Sequence, residues 1–342
     1  MFDSDKLLAP VWDADTMYAE SLTFTEGHSL LMYEPKEIIS LYNSHLDKEY
    51  IRGKDYEIDG RDIFLTENSE IFSFANEELY PKTERPGETF PFDGGNILFK
   101  EGSFFHDRQC AITYKVKENT WQGHRPKSAS RSLPVTFSKL RKGEKIKITL
   151  FGDSICVGAN ASKFTNAKPF CPPYFELVTE ALTKKYGCEI DFHNPSVGGK
   201  GTTWGVETVE ENVNNRKNDL VIIALGANDG DKNREQFGKN IERIMNAIRY
   251  KHPQTEFILV ATSLPNKILS SEKARFYAEQ YTFTDELDRF VESGVVKADI
   301  TRMQDELLRH KRFIDITANN VNHPNDFFHR LYAQYILGMF EI

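Results

Sequence analysis

Lys145-Ile-Lys-Ile-Thr-Leu-Phe-Gly-Asp-Ser154 decides the fold. It alternates charged and apolar residues, turns apolar at Leu150 and Phe151, and stops at a glycine. That is how a strand entering a buried parallel sheet reads. Glycine at 152 permits a tight strand-to-helix turn, and the turn presents the Ser154 hydroxyl beyond the end of the strand. A helix N-cap would account for Ser154 taken alone.

Outward from this stretch, the rhythm of strand and helix repeats. Pro172 and Pro173 open a helix over Tyr174–Tyr186, which Gly187 closes. Glu189–Phe192 is a second strand, followed by a helix near Trp204–Asn215. Leu220–Leu225 is a buried strand. Arg234–Tyr250 is an amphipathic helix with Phe237, Ile241, Ile244, Met245 and Ile248 on one face. Phe257–Ala261 is the fourth strand, and a long helix is expected from about Ser271 to Glu292. Either Val295–Ala298 or Phe313–Ile316 supplies the fifth strand, and the last helix lies near Phe327–Met339. Alternating elements of this kind form a parallel sheet covered on both faces. Ligands of such sheets sit beyond the carboxyl ends of the strands.

Before residue 140 the pattern differs. Short β-like runs (Ser29–Tyr33, Glu37–Tyr42, Asp62–Thr66, Ile97–Lys100 and Ala111–Val116) are separated by turn signals such as Ile58-Asp-Gly and Pro91-Phe-Asp-Gly-Gly. A β-sandwich-like or jelly-roll-like domain over residues 1–140, preceding an α/β domain over 141–342, is the resulting expectation.

Composition narrows the function. Of 342 residues, 39% are hydrophobic, enough for a core; the net charge of −8, with no basic block, leaves no footprint for nucleic acid. The longest apolar run, Leu220–Leu225, is far below the ~20 residues of a membrane span. The N-terminus has no apolar signal region, so a cytoplasmic location is expected. The four cysteines, at 110, 156, 171 and 188, form no Cys-x-x-Cys pair and read as reduced, buried thiols. Neither a metal nor a cofactor is expected. A homo-oligomer is compatible with the sequence.

Three further loops follow strands or precede a helix. Asn194-Pro-Ser-Val-Gly198-Gly199-Lys-Gly201-Thr-Thr is either a phosphate cradle or a glycine turn aiming its N–H groups at the site. The P-loop pattern fails, because Gly201 and not Ser or Thr follows Lys200. Gly226-Ala-Asn228-Asp229 offers a side-chain amide, although turn chemistry favours the same residues. His323, in Asn322-His-Pro-Asn-Asp326, is a candidate general base. Serine, glycine, asparagine and histidine in this order are the parts acyl transfer needs: a nucleophile, oxyanion donors and a base.

These four blocks resemble the signatures of the SGNH (GDSL-type) hydrolases over about residues 145–340. The resemblance implies a three-layer α/β/α flavodoxin-like domain and a serine esterase. By motif, Ser154 is the nucleophile and a backbone donor, Gly199 and Asn228 complete the oxyanion hole, and His323 is the base. The family usually carries Asp three residues before the histidine, where this chain has Asn320. Three explanations stay open: a backbone carbonyl orients His323, Asp315 or Asp326 takes the role, or activity is weak. A β-rich segment ahead of an SGNH domain resembles the two-domain carbohydrate esterases. That implies acetyl esters of oligosaccharides or small molecules as substrates. Trp121 and Trp204, near predicted loops, either flank a sugar or pack in the core. A general short-chain esterase or thioesterase, or a catalytically weak carbohydrate-binding protein, are the alternatives.

Overall fold

The computed structural model describes residues 4–269 and 278–342. The chain divides into two compact units. One comprises Met1–Gly123, Asn160–Pro173 and Asp305–Leu331; the other comprises His124–Ala159, Tyr174–Gln304 and Tyr332–Ile342.

In the second unit, β1 (Ile146–Gly152), β2 (Ile190–His193), β3 (Leu220–Ala224), β4 (Glu256–Ala261) and β5 (Val295–Asp299) form one sheet in the order β2-β1-β3-β4-β5. Every pair is parallel. This is the flavodoxin-like doubly wound order, whose switch point lies where the chain reverses direction across the sheet beside the first strand. The helices include Pro134–Arg141, α1 (Ser154–Val157), α2 (Tyr174–Tyr186), α3 (Thr202–Asn212), α4 (Arg234–Lys251), α5 (Ala278–Leu287), α6 (Ile300–His310) and α7 (Asp326–Met339), the last two divided between the units. Strand parity sets the layers. Val221, Ile223, Phe257 and Leu259 face a core shared with Val209 of α3 and with Phe237, Ile241, Ile244, Met245 and Ile248 of α4. Leu220 and Ile222 point the other way, towards Tyr174, Val178 and Leu182 of α2 and Ile336 of α7. The five apolar residues of α4 are at most 3% exposed, each stabilising the unit by about 1.5–3 kcal/mol. A reciprocal cap starts that helix: Gln236 N donates to Asn233 Oδ1 and Asn233 N donates to Gln236 Oε1.

The structure decides one open alternative and corrects one expectation. The fifth strand is Val295–Asp299, whereas Phe313–Asp315 forms a single 3-10 turn. The helix expected over 271–292 has its first part outside the described residues and ends at Leu287, followed by a 3-10 turn over Asp288–Phe290. Gly294, at φ +83°, then reverses the chain into β5. No described helix is long and apolar enough to cross a membrane.

The first unit is strand-rich. Thr16–Leu22, Cys110–Val116, Pro35–Asn43 and Glu49–Tyr50 form an antiparallel sheet in that order. Tyr56–Asp59, Asp62–Leu65, His28–Leu30, Phe24–Thr25 and Ser73–Phe74 form a second, antiparallel except for its last pair. A separate hairpin pairs Thr89–Phe92 with Gly95–Leu98 across Asp93-Gly94, with Gly94 at φ +107°. Buried charge ties residues 305–331 to these strands. Lys311 Nζ lies 2.8 Å from Glu20 Oε1 with both side chains fully buried, and Thr23 N donates to Asp315 Oδ1 at 2.8 Å. Charges this deep persist only when paired.

Candidate active site

The strand β1 ends at Gly152 because nothing larger fits. A Cβ there would stand 2.3 Å from Cys156 Sγ and 2.7 Å from Ala224 O. The Asp153 side chain accepts from Ile155 N at 3.0 Å and so caps α1, which ends after one turn at left-handed Gly158. Asp153, and not Ser154, is thus the cap. Ser154 is half-buried at the first position of the turn.

The glycine loop is stitched to this turn. Ser196 Oγ accepts from Gly152 N at 2.9 Å and donates to Leu150 O at 3.2 Å. Asn194 Nδ2 donates to Cys156 O at 2.8 Å. Gly198 consequently passes against the serine: a Cβ on it would lie 3.7 Å from Ser154 Cβ. Gly199, exposed and at φ +73°, makes the turn that an L side chain would strain. Asn228 Nδ2 donates to Lys200 O at 3.1 Å, which fixes its amide beside the same loop. The structure therefore sets Gly198 against Ser154 and Asn228 against Lys200, in loops at the carboxyl ends of β1, β2 and β3.

Asp229, which has no role in the sequence reading, holds this arrangement. It is 0% exposed and accepts from Thr202 N at 3.0 and 2.9 Å through its two oxygens, and from Thr202 Oγ1 at 2.6 Å. The carboxylate thereby caps α3 from another loop and pins the segment after Gly199 to the segment carrying Asn228. Gly201 makes room for it, since a Cβ would stand 2.8 Å from Asp229 Oδ2. An aspartate directly after the motif asparagine was the available signal.

His323 belongs to the first unit, in a loop folded on itself. Thr317 Oγ1 donates to His323 O at 3.0 Å and accepts from Asn320 N at 3.0 Å. Asn319 Oδ1 accepts from the backbone N–H groups of Val321, Asn322 and His323 at 3.0, 2.9 and 3.0 Å. The ring Nδ1 lies 2.6 Å from Asn160 Oδ1 and 3.2 Å from Glu101 Oε2. Neither side chain was a sequence candidate, and Glu101 is 222 residues away in the chain. The proposed stand-ins are engaged elsewhere: Asp315 binds Arg312 and Thr23 N, and Asp326 Oδ1 accepts from Ser162 N at 2.8 Å. Asn320 Nδ2 donates to Leu98 O at 3.1 Å. Burial raises the Glu101 carboxyl, but hydrogen bonding and charge from His323, with bonds from Asn319 and Asn160, outweigh it and hold the group below the ordinary glutamate range.

Both tryptophans make packing contacts. Trp121 is 4% exposed and stacks on His310, with centroids 6.0 Å apart. Trp204 lies on Phe151 at 5.1 Å and packs against the core of the second unit. The close approach of α3 to the sheet at Gly205, where a Cβ would meet Leu225 Cδ1 at 2.6 Å, puts the indole there. Cysteine chemistry has no place at the site. All four thiols are free and buried, and burial pushes each upward, Cys110 to about 12. No group of three or more metal-ligating side chains occurs among the described residues.

A 2-1-3-4-5 parallel sheet with serine, glycine loop and asparagine amide beyond its strand ends is the SGNH hydrolase fold, a flavodoxin-like three-layer α/β/α class. Within that class the chain belongs to the GDSL-like lipase/acylhydrolase family, whose model matches residues 150–331. It is a family of carboxylic-ester hydrolases. Among solved structures, a two-domain esterase active on acetylated mannans is similar at 20% identity and a TM-score of 0.51, over 64% of this chain and 54% of that one. The same esterase co-crystallised with mannopentaose gives 21% and 0.50 over the same shares. A catalytic mutant of an acetylxylan esterase from Geobacillus stearothermophilus gives 16% and 0.48, over 59% of this chain and 97% of that one. At these identities the shared property is the fold, and the chain spans about half the length of the two-domain esterase. No curated protein matches the chain.

Proposed function

We propose that this chain is a serine esterase that removes small acyl groups, above all acetyl, from carbohydrate hydroxyls through an acyl-enzyme on Ser154. Ser154 Oγ attacks the ester carbonyl while His323 takes its proton. The Ser154 and Gly199 N–H groups and Asn228 Nδ2 stabilise the tetrahedral oxyanion. The sugar alcohol leaves with the proton held by His323. Water, deprotonated by the same imidazole, then frees the acid and restores the serine. The observation that carries this reading is the convergence of Ser154, the Gly198-Gly199 turn and the Asn228 amide on one rim of the sheet. The carbohydrate part is supported by the two-domain layout and by the likeness in fold to the mannan-active esterase.

The test is turnover of acetylated manno- and xylo-oligosaccharides beside p-nitrophenyl esters of increasing chain length. Acetyl release from the oligosaccharides, with rates falling steeply beyond the shortest p-nitrophenyl esters, is the expected result. Long-chain esters hydrolysed faster than acetyl would refute the assignment, as would inactivity on every ester.

A further inference from the structure

We infer that Glu101, outside the segment that carries the family motifs, is the positioning carboxylate of His323, taking the place that Asn320 leaves vacant. The inference rests on the reading of His323 as the base. Its first support is the ring's tautomer. Asn160 Nδ2 donates to Gly102 O at 2.9 Å, which turns its Oδ1 towards the imidazole. An acceptor 2.6 Å from Nδ1 requires the proton on Nδ1. That leaves Nε2 as the basic nitrogen, the form general-base catalysis uses. Asn160 suits its place because asparagine tolerates its left-handed φ of +64°.

The second support is that Glu101 is delivered and held at both oxygens. Oε2 lies 3.2 Å from Nδ1, sharing that proton with Asn160, and Oε1 accepts from Asn319 Nδ2 at 3.1 Å. The hairpin strand that ends three residues earlier is anchored by the histidine loop itself, through Asn320 Nδ2 to Leu98 O. An asparagine at the family's acid position thus grips the strand that supplies the acid. The side chain is half-exposed, at 47%, a setting in which a lone ion pair contributes little. Here both oxygens are fixed and the charge faces the nitrogen that must stay protonated as the imidazolium forms. Of the other carboxylates flanking the loop, Asp315 is bound to Arg312 and Asp326 to Ser162 N.

Glu101→Gln tests this on p-nitrophenyl acetate. Asn160 preserves the tautomer in the variant, so only the charge is lost. The expected fall in kcat/KM is about 10–10²-fold, smaller than the ~10⁴ seen where an Asp-to-Asn change also spoils the tautomer. The acid limb of the kcat/KM profile should move to lower pH, because the carboxylate that favours the protonated imidazole is gone. A melting midpoint within about 2 °C of the parent should accompany these effects. Turnover within twofold of the parent and an unmoved profile, with His323→Ala severely impaired, overturns the role of Glu101 alone. A loss accompanied by a collapsed melting midpoint and an unmoved profile makes the residue structural and also overturns it. If His323→Ala retains full turnover, the base assignment falls first and the inference with it.

Discussion

Asp229→Asn probes the construction of the oxyanion side of the site. The native carboxylate is buried and receives Thr202 N and Thr202 Oγ1, while Lys232 Nζ stands 3.2 Å from Oδ1. Asparagine keeps the shape but turns one oxygen into an NH2 group that faces donors. One charge-assisted bond, worth about 1.5–3 kcal/mol, is lost, and a buried donor is left unmet. Lys232 contributes less, because Asp231 Oδ1 is also 2.8 Å away and can keep it paired. The sum is about 2–4 kcal/mol. At roughly 2–4 °C per kcal/mol for a unit of this size class, the melting midpoint should fall by about 5–15 °C. The carboxylate also ties the segment after Gly199 to the one carrying Asn228, so both donors should drift. A misplacement near 1 Å costs about 10² in rate. Thermal melting by circular dichroism and kcat on p-nitrophenyl acetate, measured well below the midpoint, read the two effects. A midpoint within about 2 °C of the parent, with kcat within threefold, would refute the reasoning.

Gly152→Ala should destabilise by about 2–3 kcal/mol through overpacking, and adding Cys156→Ala should restore only part, since Ala224 O stands 2.7 Å from the new Cβ; full recovery in a urea titration of the double variant would contradict the backbone clash. Asn228→Ala should lower kcat by about 10²–10³ with KM nearly unchanged; a change in KM alone would make Asn228 a ground-state binding group. Asn320→Asp should cost about 2–4 kcal/mol, because it sets a buried carboxylate against Leu98 O in place of a donor. A gain in kcat at unchanged stability would show instead that residue 320 holds the acid's place.

The second unit was legible because its signals are local. The run from Lys145 to Ser154, the five-residue face of α4 and the Pro–Gly brackets of α2 each state their structure within a few turns of chain. The helix α6 was missed although Ile300, Met303 and Leu307 keep a helical spacing. Its cap is Asp299, whose Oδ1 accepts from Arg302 N at 3.0 Å, and Asp299 is also the last residue of β5. No turn residue separates strand from helix. The motif residues were legible, but their supports were not, for two reasons. Asp229 sits inside a quoted motif, where its acidity was absorbed into turn chemistry. Glu101 and Asn160 reach His323 through tertiary contact from distant segments, which no spacing rule records. Trp121 and Trp204 stay open in the sequence, because nearness to a predicted loop does not say whether an aromatic ring is packed or presented.

The account stands on Ser154 as the acylated nucleophile. Rapid-quench peptide mass spectrometry after mixing with p-nitrophenyl acetate tests it directly, with Ser154→Ala as the matched control. A transient acetyl group is expected on the peptide carrying Ser154, formed and lost at rates that match the burst and steady state of p-nitrophenol release, with neither adduct nor turnover in the folded Ser154→Ala protein. An acetyl group on another residue that turns over at the catalytic rate, or undiminished hydrolysis by Ser154→Ala, would contradict it.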